Sequence, residues 1–81
     1  MTNQELRKEA HDLDVTVWVG KGGVGTVVDE LKDQLRENKL VKVKFLRAAR
    51  GGTTTEELAE TLADDVNAEL VDVRGNTAVY H

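Results

Sequence analysis

The stretch VWVGKGGVGTVVDEL, from Val17 to Leu31, joins a predicted strand to a predicted helix through a turn that is rich in glycine. Apolar residues alternate before the glycines and recur at helical spacing after them, so the periodicity changes at the turn. Glycine lets an anion approach the backbone closely, and the free amides at the start of a helix favour a phosphate. The stretch therefore predicts an anion site, which either a nucleotide or the backbone of a nucleic acid could occupy.

Two amphipathic helices are predicted, one on each side of this strand. The first begins at a capping box formed by Thr2 and Glu5. Its apolar stripe consists of Leu6, Ala10 and Leu13. The second helix follows the glycines, and its apolar face consists of Val24, Val27, Val28, Leu31 and Leu35. Its charged residues fall on the opposite face, which predicts that the apolar side packs against a sheet.

A third helix is predicted after the glycine pair of RAARGGT. Two capping boxes are possible at its start, either Thr54 with Glu57 or Thr53 with Glu56. Its predicted buried side consists of Leu58, Ala59, Leu62, Ala63 and Val66.

Four strands are predicted in the stretches DVTVWVG, LVKVKFL, AELVDVR and TAVYH. In the first, Val15, Val17 and Val19 alternate with Thr16 and Trp18, and in the second one face has Val41, Val43 and Phe45 while the other has Lys42 and Lys44. Gly75 and Asn76 separate the last two strands and fit a tight hairpin turn. Helical crossovers favour parallel pairing of the strands they connect, whereas a hairpin forces antiparallel pairing. The prediction is an α/β fold of the α+β kind, in the order α-β-α-β-α-β-β, with a four-stranded mixed sheet packed against helices. We expect residues 1–81 to form one domain.

The composition narrows the possible functions. The 81 residues contain no cysteine, and His11 and His81 lie at opposite ends, so neither a metal site nor a cofactor is predicted. The carboxylates cluster on predicted solvated helix faces and no catalytic constellation is found, so the protein is not expected to be an enzyme. The polar N-terminus and the lack of a long apolar run predict a cytoplasmic protein with no signal peptide and no membrane contact. It is expected to be a monomer.

Charge is distributed unevenly along the chain, whose formal net charge is −4. Between residues 38 and 55 every charged residue is basic, namely Lys39, Lys42, Lys44, Arg47 and Arg50. Between residues 51 and 73 every charged residue is acidic, namely Glu56, Glu57, Glu60, Asp64, Asp65, Glu69 and Asp72. We therefore expect one basic region and one acidic helix, although the protein is acidic as a whole.

A nucleotide-binding loop of the Walker A type does not fit the glycine-rich turn. That pattern places a lysine immediately before a serine or threonine, so that both reach the terminal phosphates and Mg²⁺. The run is similar to the variant loop of the partition and septum-site ATPases, but here Gly25 precedes Thr26 directly and that lysine is missing. A P-loop domain also needs a larger sheet and an acidic strand end for the metal. A degenerate nucleotide binder remains only as an alternative hypothesis.

The turn also reads as a G-x-x-G motif, Gly20-Lys21-Gly22-Gly23, of the kind that clamps a nucleic-acid backbone in KH-type modules. Together with the order of elements, the strand LVKVKF and the C-terminal VDVRGNTAVYH, it resembles the CRM-domain family, the YhbY-like group of RNA-binding proteins. The resemblance extends from Leu6 to His81.

This resemblance implies a non-catalytic protein that binds RNA phosphates through the GxxG loop and adjacent basic residues. It further implies a role in ribosome biogenesis, acting on ribosomal RNA or on precursor particles of the large subunit. The residues expected to contact RNA are Gly20, Lys21, Gly22, Gly23, Lys42, Lys44, Arg47 and Arg50. The amides of Gly22 and Gly23 and the start of the second helix are expected to hold the phosphate.

Three further expectations concern the other surfaces. Trp18 and Tyr80 could either stack on bases or be core residues, and the structural interpretation is preferred because a chain with few aromatics uses them in its core. Arg74 either extends the basic region or pairs with an acid. The alternative function is a protein-interaction module that uses the acidic third helix.

Overall fold

The predicted order of elements is confirmed in a computed structural model, which describes residues 3–10 and 12–81. The helices and strands within these residues are α1 Asn3–Ala10, β1 Val15–Val19, α2 Val28–Glu37, β2 Val41–Phe45, α3 Thr55–Val66, β3 Leu70–Arg74 and β4 Thr77–Tyr80. Two short 3-10 helices, Val24–Val27 and Arg47–Ala49, precede α2 and follow β2.

The four strands form one mixed sheet in the order β1-β2-β4-β3. β1 and β2 are parallel, because α2 carries the chain back across the sheet between them. β4 lies antiparallel to both β2 and β3, and the tight turn at Gly75 and Asn76 joins it to β3. Gly75 has a φ of 53°, a conformation that glycine adopts without a steric penalty. The mixed sheet predicted from the sequence is therefore confirmed.

One face of the sheet is covered by α2 and α3. The main core lies here and includes Val17, Val19, Leu31, Val43, Phe45, Ala59, Leu62 and Tyr80. Alternation along β1 and β2 places their valines on this face, as predicted, while Lys42 and Lys44 point to the other side. The buried hydroxyl of Tyr80 donates a hydrogen bond of 2.8 Å to the carbonyl of Ala59, which ties β4 to α3.

The opposite face of the sheet is only partly covered. α1 and the segment after it cover one end, where a smaller core forms from Ala10, Leu13, Leu40, Val71 and Val79. The remainder of this face is not covered by a helix among the described residues. We call it the open face, and it contains Trp18 of β1 and Lys44 of β2.

The starts of the second and third helices resolve two expectations. α3 begins at the capping contact of Thr54, whose hydroxyl accepts a hydrogen bond of 3.2 Å from the amide of Glu57. The second helix begins at Val28 rather than at the glycines, because the first turn after Gly23 winds as a 3-10 helix. The capping box of the first helix and His11 lie outside the described residues. No helix in the described ranges is long and apolar enough to cross a membrane.

Candidate nucleic-acid interface

The segment 20–23 is a tight turn at the end of β1. The amide of Gly23 donates a hydrogen bond of 3.0 Å to the carbonyl of Gly20, which leaves Lys21 and Gly22 at the two central positions. Lys21 is exposed, so its ammonium extends from the tip of the turn into solvent. We refer to these four residues as the glycine turn.

Two of the glycines are required by the shape of the turn. A Cβ atom on Gly22 would lie 2.6 Å from the methyl carbon of Thr26, which is too close. Gly23 has a φ of 82° and a ψ of −179°, a region that is almost restricted to glycine. The Thr26 hydroxyl donates to the carbonyl of Gly23 at 2.7 Å and holds the following 3-10 helix against the turn.

This geometry corrects the expected phosphate contacts. The expectation that Gly23 offers a free amide is wrong, because its N–H closes the turn. The start of α2 is also displaced from the turn by the 3-10 helix Val24–Val27. Among the described residues, no acceptor takes the amide of Gly22, which therefore remains available beside Lys21. The engaged hydroxyl of Thr26 further weakens the nucleotide hypothesis, in which this group would bind Mg²⁺.

Three loops meet at the same edge of the sheet. Because β1 and β2 are parallel, the glycine turn and the loop after β2 leave the sheet side by side. The amide of Leu46 donates a hydrogen bond of 2.8 Å to the carbonyl of Val19. The β3–β4 turn reaches this edge as well, since the amide of Phe45 donates a hydrogen bond of 2.7 Å to the carbonyl of Asn76. The loop after β2, which contains Arg47 and Arg50, therefore lies at the same sheet edge as the glycine turn.

The loop after β2 supplies the two arginines of this edge. Arg47 begins the 3-10 helix Arg47–Ala49 and is exposed. Arg50 is half-buried, and its Nε atom is buried without a hydrogen-bond partner in the described part of the chain. Neither arginine forms an ion pair with a described residue. The edge therefore has a local excess of positive charge that no neighbouring carboxylate neutralises.

Lys42 and Lys44 lie on the open face rather than at the edge. Both are half-buried, because their stems pack along the sheet. Lys44 is paired in register with Trp18 of β1 and Thr77 of β4. No ion pair joins either lysine to a described carboxylate. Lys44 thus links the open face to the edge that carries Lys21 and the arginines.

The two aromatic residues interpreted as structural have different environments. Tyr80 is buried, as expected, and burial raises the pKa of its phenol. The interpretation of Trp18 is wrong, because 52% of its surface is exposed on the open face. The alternation of β1 already places Trp18 opposite the buried valines, and this was the signal available in the sequence. Whether a helix would cover that face depends on the tertiary arrangement, which periodicity does not give.

Arg74 satisfies both readings considered for it. It stands on the open face opposite Thr77 and also forms an ion pair of 3.5 Å with Asp72. Its side chain remains 66% exposed, so the pair is a weak surface contact.

The acidic residues occupy a different side of the molecule. Glu56, Glu57, Glu60, Asp64 and Asp65 are all exposed on α3. Because α3 packs on the core face of the sheet, these carboxylates lie opposite Lys42 and Lys44. Within the described ranges no three histidine, cysteine or acidic side chains are grouped so that they could hold a metal ion.

A family model, a curated relative and a solved structure each match most of the chain. A family model described as the CRS1 / YhbY (CRM) domain matches residues 2–81. The chain is 45% identical over 71 residues to "Probable RNA-binding protein MJ0652" of Methanocaldococcus jannaschii, which covers 88% of the chain and 53% of that protein. The chain thus spans about half the length of this curated relative.

A solved structure shares the fold. The solution structure of the hypothetical protein SAV1595 from Staphylococcus aureus matches with a TM-score of 0.78 and 34% sequence identity. The match covers 98% of this chain and 81% of the other.

Proposed function

The chain belongs to the CRS1/YhbY (CRM) domain family, and from this premise we propose that it is a non-catalytic RNA-binding protein. The curated relative named as an RNA-binding protein supports this class of function. We further propose that RNA phosphates are held at the sheet edge by the glycine turn and by Arg47 and Arg50.

One observation carries this proposal: the parallel pairing of β1 and β2 brings the glycine turn and the arginine loop to one edge. Three cations at this edge, Lys21, Arg47 and Arg50, have no ion-pair partner among the described residues. Unpaired cations at exposed loops attract phosphate, and the counterions released from RNA add to the affinity.

Each group would have a distinct role in the contact. The ammonium of Lys21 acts as a point charge, and the adjacent amide of Gly22 donates a directional hydrogen bond to a phosphate oxygen. The planar guanidinium of Arg47 can donate two parallel hydrogen bonds to the same kind of group. Lys42 and Lys44 extend the positive surface from the edge across the open face. The glycines shape the turn and contribute through backbone rather than side chain.

The family resemblance leads us to propose ribosomal RNA, or a precursor particle of the large subunit, as the target. On this proposal the protein acts as a monomer in the cytoplasm and needs no cofactor. Folded RNA suits the site, because the three loops present exposed cations at one edge that phosphates of a hairpin or junction can approach.

The test compares variants at Lys21 with a matched control. Substitution of the glycines would disturb the turn itself, so charge reversal at Lys21 is more specific. Lys32 is also an exposed lysine, and it lies on α2 near Val66 and His81, away from the three loops. We expect Lys21→Glu and Arg47→Glu to weaken binding of a ribosomal RNA hairpin and to lower the salt slope by about one each. Lys32→Glu should bind nearly as well as the wild type.

The measurement is a titration of labelled hairpin by fluorescence anisotropy at several salt concentrations. Equal losses in Lys21→Glu and Lys32→Glu would mean that binding responds only to net charge, and the assigned edge would be wrong. Failure of the wild type to bind any RNA would refute the proposed function.

A further inference from the structure

The open face contains a continuous row of side chains across all four strands. Trp18 of β1 pairs in register with Lys44 of β2, Lys44 pairs with Thr77 of β4, and Thr77 pairs with Arg74 of β3. Directly paired residues project from the same face of a sheet, about 5 Å apart. The row therefore alternates an aromatic ring, a cation, a hydroxyl and a second cation.

Trp18 is exposed to an unusual extent. In the described part of the chain, Trp18 and Leu46 are the only large apolar residues that are exposed, at 52% and 38%. Leu46 follows β2 directly and lies beside Gly20, where a Cβ would approach its Cδ1 to 3.9 Å. The two exposed apolar side chains thus lie at the end of the open face that borders the glycine turn.

The chemistry around Trp18 favours one kind of occupant. An aromatic ring beside a cation that lacks an acidic partner is an arrangement that binds unpaired bases, since the ring stacks on a base and the cation meets its phosphate. Lys44 next to Trp18 has no ion pair with a described residue, and Arg74 has only the exposed contact with Asp72. Asp72 lines a pocket next to Ala10 of α1, on the side of the row away from Trp18. Its carboxylate therefore repels a phosphate at that end of the row and not beside the ring.

We propose that Trp18 stacks on an unpaired base of the bound RNA, with Lys44 contacting the adjacent phosphate. This inference rests on the proposed RNA-binding function and adds a preference for single-stranded segments. The separation is suitable, because at most about 10 Å of chain lies between Trp18 and Lys21. A strand whose phosphate is held at the glycine turn can therefore place a neighbouring base on the ring.

The first experiment uses Trp18 as its own reporter, because it is the only tryptophan in the chain. We expect single-stranded oligouridine of about 12 nucleotides, a length within the usual range of such sites, to quench the tryptophan emission saturably. An RNA duplex of the same length should quench it much less, because its bases are already stacked in pairs. Unchanged emission at saturating oligouridine would overturn the proposal.

The second experiment separates stacking from apolar contact. Trp18→Phe retains an aromatic face, whereas Trp18→Leu retains only apolar surface. By anisotropy we expect Trp18→Leu to weaken oligouridine binding at least about fivefold, the effect of losing one stacked base, and Trp18→Phe to lose less. Circular dichroism should show all variants folded, since the residue is exposed. Equal affinity of the wild type and Trp18→Leu would overturn the proposal.

These outcomes are distinguishable from failure of the proposed function. If Lys21→Glu loses hairpin binding while Trp18→Leu binds oligouridine normally, the stacking inference fails and the RNA-binding proposal stands. If Trp18→Leu loses association with ribosomal particles but keeps its affinity for free RNA, the open face docks a protein and the inference is wrong.

Discussion

The glycine turn divides its roles between residues that shape it and a residue that carries charge. Gly22 and Gly23 are explained by the close approach of Thr26 and by a φ of 82°, respectively, without reference to a ligand. Lys21 has no such structural explanation, because it is exposed at the tip. Gly22 and Gly23 are therefore explained by the shape of the turn, and the function that we propose depends on Lys21.

Arg50 provides a prediction in which stability and binding change in opposite directions. Its Nε atom is buried without a partner among the described residues, and an unsatisfied buried polar group costs about 1–3 kcal/mol. We expect Arg50→Met to leave the free energy of unfolding unchanged or to raise it by up to about 1 kcal/mol, while weakening hairpin binding. Urea unfolding and RNA anisotropy on the same variant measure the two effects.

Arg47→Met is the matched control for this experiment. Arg47 is exposed, so its replacement should change stability by no more than about 0.5 kcal/mol while also weakening RNA binding. A marked loss of stability in Arg50→Met would contradict the prediction, because it would mean that the guanidinium contributes to the fold.

At this scale the sequence predicted side-chain direction well and side-chain environment less well. Alternation correctly assigned Val17, Val19 and Phe45 to the core. The same alternation put Trp18 on the other face, but the scarcity of aromatics favoured a buried tryptophan. Exposure depends on whether another element covers the residue, and one strand's pattern contains no information about that. The hydrogen bond that engages the amide of Gly23 was missed for a related reason, since turn hydrogen bonds depend on backbone angles.

Among the elements, the second helix differs most from its prediction. Its apolar spacing runs without interruption from Val24, yet the α-helix begins only at Val28. Spacing of three and spacing of four both fit the first apolar residues, so periodicity could not separate a 3-10 turn from an α-helical one. The third helix was predicted more closely, because the contact between Thr54 and Glu57 is local and has a sequence signature.

The contact between β4 and α3 gives a prediction about pH. Tyr80 is the only tyrosine in the chain, and its hydroxyl donates to the carbonyl of Ala59. Burial raises the pKa of Tyr80, so above the ordinary value of about 10 the unfolded chain releases a proton that the folded chain retains. Unfolding is therefore favoured as pH rises, and this part of the stability is present below about pH 10 and lost above it.

We expect Tyr80→Phe to lower the free energy of unfolding by about 0.5–1.5 kcal/mol at neutral pH, the net value of one hydrogen bond. Its stability should then fall less steeply than that of the wild type above about pH 10. Urea unfolding across this pH range measures both, and tyrosinate absorbance follows the group directly. Parallel alkaline losses in the two proteins would show that lysine titration alone causes the decline.

At the scale of the whole molecule, the sheet separates the charges that the sequence distributes along the chain. The basic segment supplies the edge and the open face, and the acidic segment supplies α3 on the other side. The fold class and this separation were predictable, because they follow from long patterns in the sequence. The row from Trp18 to Arg74 was not, because it depends on the register of three strand pairs.

This separation predicts that the acids of α3 have little influence on RNA binding. At physiological salt the screening length is about 8 Å, and the carboxylates lie on the far side of the sheet. We expect the triple variant Glu57→Gln, Glu60→Gln, Asp64→Asn to change hairpin affinity by less than about twofold. Anisotropy at physiological salt is the measurement, with Lys21→Glu as the binding-deficient control.

The same triple variant tests the alternative function, in which α3 docks on a basic protein. If it loses association with ribosomal particles in sedimentation while retaining hairpin affinity, α3 is a protein-binding surface. If both are retained, RNA contacts account for the association.

The position of β4 in the sheet has a consequence for synthesis of the chain. Although β4 is the last strand in sequence, it lies between β2 and β3 and pairs with both. Until Thr77–Tyr80 leave the exit tunnel, the nascent β3 has no strand to pair with, and β2 is paired only with β1. The sheet therefore cannot be completed before β4 is available to pair with both β2 and β3.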